Sequence, residues 1–197
     1  MSLAGSRITH HSFDGVAWAY NAFMRLAGLY KDDAVLAGLE LTGDELIVDL
    51  GGGTGHYAAV LTPHCREVVV VDASERMLSR VPRTSNIRTL HADMTETGLS
   101  DDHFDAALIT DVLHHAPDQD KLIAEAHRVL KPGGRLLVLD FNAAFFRTRM
   151  LDRFERPLFG KVHYRTPIQA ADLLSEHGFS ASIASDGWCY LVAGTKI

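Results

Sequence analysis

Residues 48–58 read Val-Asp-Leu-Gly-Gly-Gly-Thr-Gly-His-Tyr-Ala, VDLGGGTGHYA, with four glycines among five residues directly behind an apolar run. Glycines at such a place permit a tight turn and let a ligand approach the main chain, while free N–H groups at the next helix's N-terminus favour a carboxylate or phosphate. In an open α/β sheet, ligands bind beyond the carboxyl ends of the strands, and Gly51–Gly55 follows such an end. The question is whether the flanking sequence supplies that sheet.

It does, by alternation. The runs Leu46–Leu50, Val68–Val71, Ile87–Leu90, Phe104–Thr110 and Arg135–Phe141 are short and apolar on both faces, as strands buried in a parallel sheet are. Amphipathic stretches separate them. In Gln119–Leu130, for example, Leu122, Ile123, Ala126, Val129 and Leu130 share one helical face before Lys131-Pro132-Gly133-Gly134 ends it. Upstream, residues 14–39 read as helical, with Val16, Tyr20, Phe23, Ala27 and Tyr30 at spacings of three or four. Downstream, Pro167–Gly178 reads as a helix ended by Gly178. The β-rich runs Phe179–Ser185 and Trp188–Ala193 flank Asp186-Gly187, a hairpin signal that sets the last strand antiparallel to its neighbours. The expectation is one α/β domain over 1–197, a Rossmann-like doubly wound sheet with helices on both faces.

Composition bounds the function. A chain of 197 residues with 47% hydrophobic content supports one sizeable core. A net charge of −6 and a pI near 6.0 give no global attraction to nucleic acid. Cys65 and Cys189 make neither a disulfide framework nor a zinc-ligand set. The opening MSLAGSRITHHSFDG lacks a signal peptide's apolar region, and no run approaches the roughly 20 apolar residues that span a bilayer, so a cytoplasmic protein without a membrane partner is expected.

Two glycine-loop families fail on spacing. A P-loop needs Lys followed by Ser or Thr after its last glycine, where His56-Tyr57 stands. The dinucleotide pattern G-x-G-x-x-G has His56 where its third glycine belongs. What the chain has is D-x-G-x-G-x-G from Asp49 to Gly55, then Asp72 ending VVVVD, where a carboxylate can accept hydrogen bonds from both hydroxyls of a ribose. HADM (91–94), TDVLHHAPD (110–118) and LKPGGRLLVLDF (130–141) follow the next three strands.

This ordered set, over residues 46–141, resembles the class I S-adenosylmethionine-dependent methyltransferases. The resemblance implies a sheet order of 3-2-1-4-5-7-6 with strand seven antiparallel, and S-adenosyl-L-methionine as cofactor. It implies that Gly51, Gly53 and Gly55 line the methionine portion with Asp49 beside them, and that Asp72 holds the ribose. Asp93 with Met94 would meet the adenine, Ala73 and Met77 would wall its pocket, and Asp111 with Val112 would sit near the reacting end. It divides the chain into an N-terminal helical cap (1–43), a cofactor-binding core (44–141), an insertion lining the acceptor site (142–166) and a C-terminal helix and hairpin (167–197).

Blander readings stand beside these. Asp49 could hold the loop, and Asp93 could be an ordinary turn or N-cap aspartate. Trp18 and Phe23 read best as helix packing. His114-His115 invites a metal, but consecutive residues rarely aim at one point and no third ligand stands at zinc spacing, so no metal is expected. The candidates for a catalytic role are His115, Tyr20 and Tyr164, each as a contact to the acceptor. No catalytic base is identified, because methyl transfer is an in-line displacement on an activated methyl and orientation with exclusion of water can carry most of it.

The acceptor is expected to be a small molecule. Residues 142–165 hold Arg147, Arg149, Arg153, Arg156, Lys161 and Arg165 against Asp152 and Glu155, a net +4 in a chain totalling −6, which could recruit an anionic acceptor. The FDGVAWAYN opening and the LHH triplet look loosely like quinone-biosynthesis C-methyltransferases. A reading of another class is a non-catalytic adenosylmethionine-binding protein, since a fold and a cofactor site do not establish turnover.

Overall fold

The computed structural model describes residues 28–197, apart from the side chains of residues 154, 155 and 157–159. Seven strands form one sheet: β1 (Leu46–Leu50), β2 (Glu67–Asp72), β3 (Ile87–His91), β4 (Phe104–Thr110), β5 (Leu130–Phe141), β6 (Phe179–Ser185) and β7 (Cys189–Lys196). Their order is β3-β2-β1-β4-β5-β7-β6. The first five pair in parallel, whereas β7 lies antiparallel between β5 and β6, as the resemblance and the Asp186-Gly187 signal both required.

Alternation along the strands builds a layer on each face. Ile47, Val68, Val70, Ala106, Leu108, Leu137 and Leu139 pack with Val35 and Leu39 of α1 (Asp32–Leu39) and with Tyr57, Ala58 and Leu61 of α2 (His56–Leu61). On the opposite face Val48, Leu50, Val69, Val71, Ala107, Ile109, Leu136 and Val138 meet Leu122, Ile123, Ala126 and Val129 of α4 (Gln119–Val129). That face also meets Ala170, Leu173 and Leu174 of α6 (Pro167–Glu176). Each fully buried aliphatic side chain contributes roughly 1.5–3 kcal/mol, so the two apolar faces fix which side of every strand points where. The short α3 (Glu75–Leu78) is capped by Ser74, whose hydroxyl accepts from Met77 N. Between β5 and α6 runs α5 (Phe146–Phe159).

Two expectations need correction. The helix expected through 14–39 is broken where the described residues begin. Gly28 has φ +64, residues 29–31 are not helical, and α1 starts only at Asp32, with Asp32 and Asp33 in its first turn complementing the helix dipole. Periodicity at three and four cannot see such a break, because Tyr30 keeps the apolar spacing while leaving the helix. β3 is not apolar on both faces, since Arg88, Thr89 and His91 are exposed. It is an edge strand, with one neighbour instead of two, and a charged edge blunts further strand pairing. Among the described residues no helix is long and apolar enough to cross a membrane.

Candidate functional site

The carboxyl ends of β1 and β2 are stitched together by backbone. Gly51 N and Gly52 N both donate to Val71 O, at 2.8 and 3.1 Å, which folds the glycine loop back over β2. Gly51, Gly53 and Gly55 have φ of +77, +56 and +74, a region that L side chains rarely adopt. Their surroundings differ. A Cβ on Gly51 would lie 2.8 Å from both methyls of Val112, and one on Gly55 would lie 2.9 Å from Val81. At Gly53 the nearest atom would be Asp72 Oδ2, at 4.0 Å. Gly53 is therefore the bare, open position, whereas Gly51 brings the loop against the segment after β4. The sequence reading passed over Gly52, yet a Cβ there would meet Asp49 Oδ2 at 2.5 Å.

Two carboxylates face this loop, in opposite electrostatic situations. Asp72 Oδ2 accepts from Gly53 N at 3.0 Å and Oδ1 accepts from Ser74 N at 2.8 Å, so its headgroup is oriented by main chain and remains half-buried. Asp49 is 1% exposed beneath Gly52, and neither of its carboxylate oxygens finds a hydrogen-bond partner among the described residues. Burial, with the Asp72 carboxylate adding to it, pushes Asp49 up to about 7. A buried carboxylate left in this state is the signature of a group waiting for a cation or donor that the described residues do not supply.

The adenine-side candidates follow. Met77, in α3, is 3% exposed, and Ala73 O, just after β2, meets His91 Nε2 at 2.9 Å. Asp93 Oδ1 accepts from both N and Oγ1 of Thr95 at 2.8 Å, so its exposed side chain forms an Asx turn that shapes the loop. Met94 beside it is half-buried against the core.

His56, the residue that spoils the dinucleotide pattern, ties down what precedes α1. Its ring stacks on Tyr30 with centroids 3.4 Å apart, and its Nε2 meets Asp32 Oδ1 at 2.8 Å. Lys31 N also donates to Tyr57 Oη at 3.1 Å. Residues 30–32 are thus fastened onto the first turn of α2, beside the glycine loop.

The ends of β4 and β5 are built from side chains. Asp111 has φ +53, a left-handed conformation that Asp tolerates better than most residues, and its N–H donates to Leu139 O at 2.9 Å. Val112, two residues before His114, is the side chain that Gly51 makes room for. His114 Nδ1 lies 2.6 Å from Asp140 Oδ1, with both side chains 2% exposed. Asp140 Oδ2 also accepts from His114 N at 3.0 Å, and Oδ1 from Phe141 N at 2.7 Å. Around this pair stand rings. Tyr164 stacks on His114 at 4.5 Å, His115 lies at 4.1 Å and Phe141 at 5.9 Å, and Phe141 in turn packs against Trp188 at 5.4 Å. Burial and the neighbouring His114 hold His115 well below the ordinary histidine range. Trp188 Nε1 is a buried donor with no partner among the described residues, and Arg147 sits over its ring at 5.4 Å.

Of the acceptor candidates, His115 and Tyr164 are brought together here, while Tyr20, with Trp18 and Phe23, lies outside the described residues. Asp140 was missed. Its only sequence signal is a carboxylate ending the otherwise apolar run LLVLDF. In the basic segment, Arg156 pairs with Asp152 at 3.0 Å and Arg165 Nε donates to Gln119 Oε1 at 2.5 Å, leaving Arg149 and Arg153 on the exposed side of α5.

A family profile described as a methyltransferase domain matches residues 48–138, the span that holds the glycine loop, Asp72 and the β4 end. That match falls on the same span as the motifs that resemble the class I methyltransferases. A demethylmenaquinone methyltransferase of Clavibacter sepedonicus is 34% identical over 138 residues, which cover 66% of this chain and 56% of that protein. The chain spans about half the length of the curated relatives it matches. A chain of the complex between the Haloferax volcanii Trm112 methyltransferase activator and the putative methyltransferase has the same fold, with a TM-score of 0.83 at 16% identity, covering 94% of this chain and 96% of that one. A possible histamine N-methyltransferase of Thermotoga maritima superposes with a TM-score of 0.77 at 22% identity, covering 95% and 99%.

The cofactor of class I methyltransferase domains is S-adenosylmethionine, and the residues present fit it. Gly53 leaves open space, Asp72 presents an oriented acceptor for ribose hydroxyls, and Asp49 is a buried carboxyl group beside the loop, without a hydrogen-bond partner among the described residues, that would take the cofactor's cationic end.

Proposed function

We propose that the protein is an S-adenosylmethionine-dependent methyltransferase acting on a small-molecule acceptor. The observation that carries this reading is the pair of carboxylates at one bare loop: Asp49, buried and unsatisfied, beside Asp72, oriented by Gly53 N and Ser74 N. That arrangement suits a ligand that is cationic at one end and carries a ribose at the other. When bound, the cofactor supplies a methyl group already activated by a sulfonium.

The chain's own residues hold and exclude. Asp72 accepts from the ribose hydroxyls, Gly51, Gly53 and Gly55 line the methionine portion with Asp49, and Met77, Ala73, Asp93 and Met94 border the adenine. Asp111 and Val112 lie at the reacting end, where Gly51 leaves room for the Val112 side chain. Fixing both reactants in line removes much of the barrier, and the aromatic cluster keeps water away. In this reading, residues 1–43 cap a cofactor core at 44–141, and 142–166 line the acceptor site with 167–197 closing the sheet.

The acceptor's class draws support from the rings of Phe141, Tyr164 and Trp188 and from the name of the Clavibacter relative. Both favour a quinone-biosynthesis type of C-methyl transfer as the second reading. An anionic acceptor is supported by exposed Arg149 and Arg153 on α5. Replacing both with Gln is then expected to raise the acceptor's KM several-fold and leave cofactor affinity unchanged, and an acceptor insensitive to the change and to salt removes α5 from recognition.

Calorimetry tests the cofactor. S-adenosylmethionine and S-adenosylhomocysteine should bind and raise Tm, as ligands of the native state do, and NAD should not. Stabilisation by NAD that equals or exceeds theirs overturns the reading. Saturable binding with no methylated product across broad metabolite pools favours a non-catalytic binder instead.

A further inference from the structure

Helix α5 turns an apolar stripe toward solvent. Its inner side is set by Thr148, 1% exposed with Oγ1 donating to Asn142 O at 2.7 Å, and by Leu151, which packs against the cluster of Leu29 and Phe141. At about 3.6 residues per turn, turning 148 and 151 inward sends 146, 149, 150 and 153 to the opposite side. The exposures agree. Phe146 is 72% exposed and Met150, one turn on, 46%, with Phe145 at the N-cap 40% exposed. Arg149 and Arg153 stand exposed on the same side. A helix face that met only water would need neither Phe146 nor Met150.

The charge around the stripe narrows what could cover it. Residues 142–165 carry a net +4, against −10 for the rest of a chain that totals −6. Asp152 is committed to Arg156 at 3.0 Å, and neither Arg149 nor Arg153 has an ion pair among the described residues. A second copy set against this face would bring arginine onto arginine. Nucleic acid would satisfy the arginines, but it would leave Phe146 and Met150 in water and be repelled by the rest of the chain. An anionic bilayer offers both partners, with phosphates at its surface and apolar chains just beneath. Arginine stems lie along such an apolar layer while their guanidinium groups reach back to the phosphates. The expectation of no membrane partner rests on span length, which tests crossing alone. A 14-residue helix lying in the interface needs no span.

We propose that the exposed face of α5, with Phe146 and Met150 beside Arg149 and Arg153, docks the protein on an anionic lipid bilayer. The inference goes beyond the methyltransferase reading and stands without it. Docking of this kind orients the molecule, because the acidic remainder is repelled by the surface that attracts α5. Since α5 follows the end of β5 and Leu151 ties it to Phe141, the β4–β5 edge lies on the side turned toward the lipid.

Co-sedimentation of the full chain with lipid vesicles, without cofactor or acceptor, tests the surface. The protein should bind vesicles of phosphatidylcholine containing about a third phosphatidylglycerol, ignore phosphatidylcholine alone, and be released as salt rises. Arg149→Gln with Arg153→Gln should weaken partitioning on the order of twentyfold, about fivefold for each charge near the surface. Phe146→Ser with Met150→Ser should weaken it by about tenfold or more, whereas Arg88→Gln, an exposed cation on the edge strand β3, should change nothing. Thermal melts establish that each variant is folded, and should a double variant fail to fold, Phe146→Ser alone decides, its side chain being 72% exposed. The proposal is overturned by a protein that ignores anionic vesicles, by equal binding to neutral ones, or by binding unchanged in either double variant. Displacement from vesicles by millimolar glycerol phosphate overturns it too, since the face would then be a site for a soluble anion. Self-association without vesicle binding, abolished by the Phe146 and Met150 changes, would give the face to a second copy and overturn it likewise.

Discussion

The two halves of the site are made of different materials. At the β1–β2 edge the recognition surface is backbone: Gly51 N and Gly52 N tied to Val71 O, with Asp72 held by Gly53 N and Ser74 N. Every contact there joins residues within about one strand-helix-strand unit, and the buried carboxyl group, Asp49, is left without a hydrogen-bond partner among the described residues. At the β4–β5 edge the surface is side chains drawn from 111–115, 140–141, 164 and 188, and the buried carboxylate, Asp140, is fully engaged. One edge keeps a charge in reserve for a ligand, while the other spends its charge on holding a ring. Removing a carboxylate should therefore have opposite consequences at the two edges.

The largest effect is expected at Asp140. Asp140→Ala leaves three buried N–H groups without their acceptor and should cost about 3–5 kcal/mol in urea denaturation, the range for breaking a buried, hydrogen-bonded pair. A loss below 1 kcal/mol would mean that the two edges do not differ in kind.

Next comes the junction between the edges. Gly51→Ala adds a Cβ 2.8 Å from both Val112 methyls at a φ of +77, so strain and overpacking together should cost about 3 kcal/mol. Pairing it with Val112→Ala should recover the steric part alone. Full recovery in the double variant would show that the left-handed backbone carries no strain.

Asp72→Ala should weaken S-adenosylhomocysteine binding by about 1.5–3 kcal/mol in calorimetry with little change in unfolding free energy, because Asp72 is half-buried and its partners, Gly53 N and Ser74 N, lie at the open edge. Asp72→Asn should lose less. Normal binding by Asp72→Ala would remove the ribose role.

The smallest effect is the most diagnostic. Asp49 is raised to about 7 in the folded chain, above its ordinary value near 3.8. Between those values the native state holds a proton that the unfolded state has lost, so Asp49 lowers stability as pH climbs through this window, and the loss is complete above 7. Asp49→Asn stays neutral. Its stability relative to wild type should rise by about 1–3 kcal/mol from pH 4 to pH 8, less than the roughly 4 kcal/mol of the full shift because the surroundings relax around the charge. Calorimetric melts across that range check it, and a flat difference would mean that Asp49 is satisfied in the empty protein.

Legibility in the sequence divides along the same line. Gly51, Gly53, Gly55 and Asp72 could be read because a turn and the strand ends beside it are local, and glycine is the residue that a left-handed turn at φ +56 to +77 demands. The distinction among those glycines could not: only packing reveals that Gly51 meets Val112, Gly55 meets Val81 and Gly53 alone is open. The break at 28–31 escaped because Tyr30 fits the helical spacing while stacking on His56 instead. Asp140 escaped because a single carboxylate at the end of an apolar strand has no local signature; its partner is 26 residues away.

The sequence by itself determined the strands and, through the Asp186-Gly187 turn, the antiparallel last one, while the order of the sheet came from the resemblance of its motifs to a known family. It also determined the glycine loop and Asp72 at the β1–β2 edge, where the geometry lies in main chain and spacing. Only the tertiary structure decided the β4–β5 edge. There β4 and β5, parallel neighbours, deliver His114 and Asp140 to one point, and Tyr164 and Trp188 arrive from beyond β5 to enclose them. Side chains from distant segments acquire a joint chemistry only when packing sets their separation, and separation in space is not written in separation along the chain.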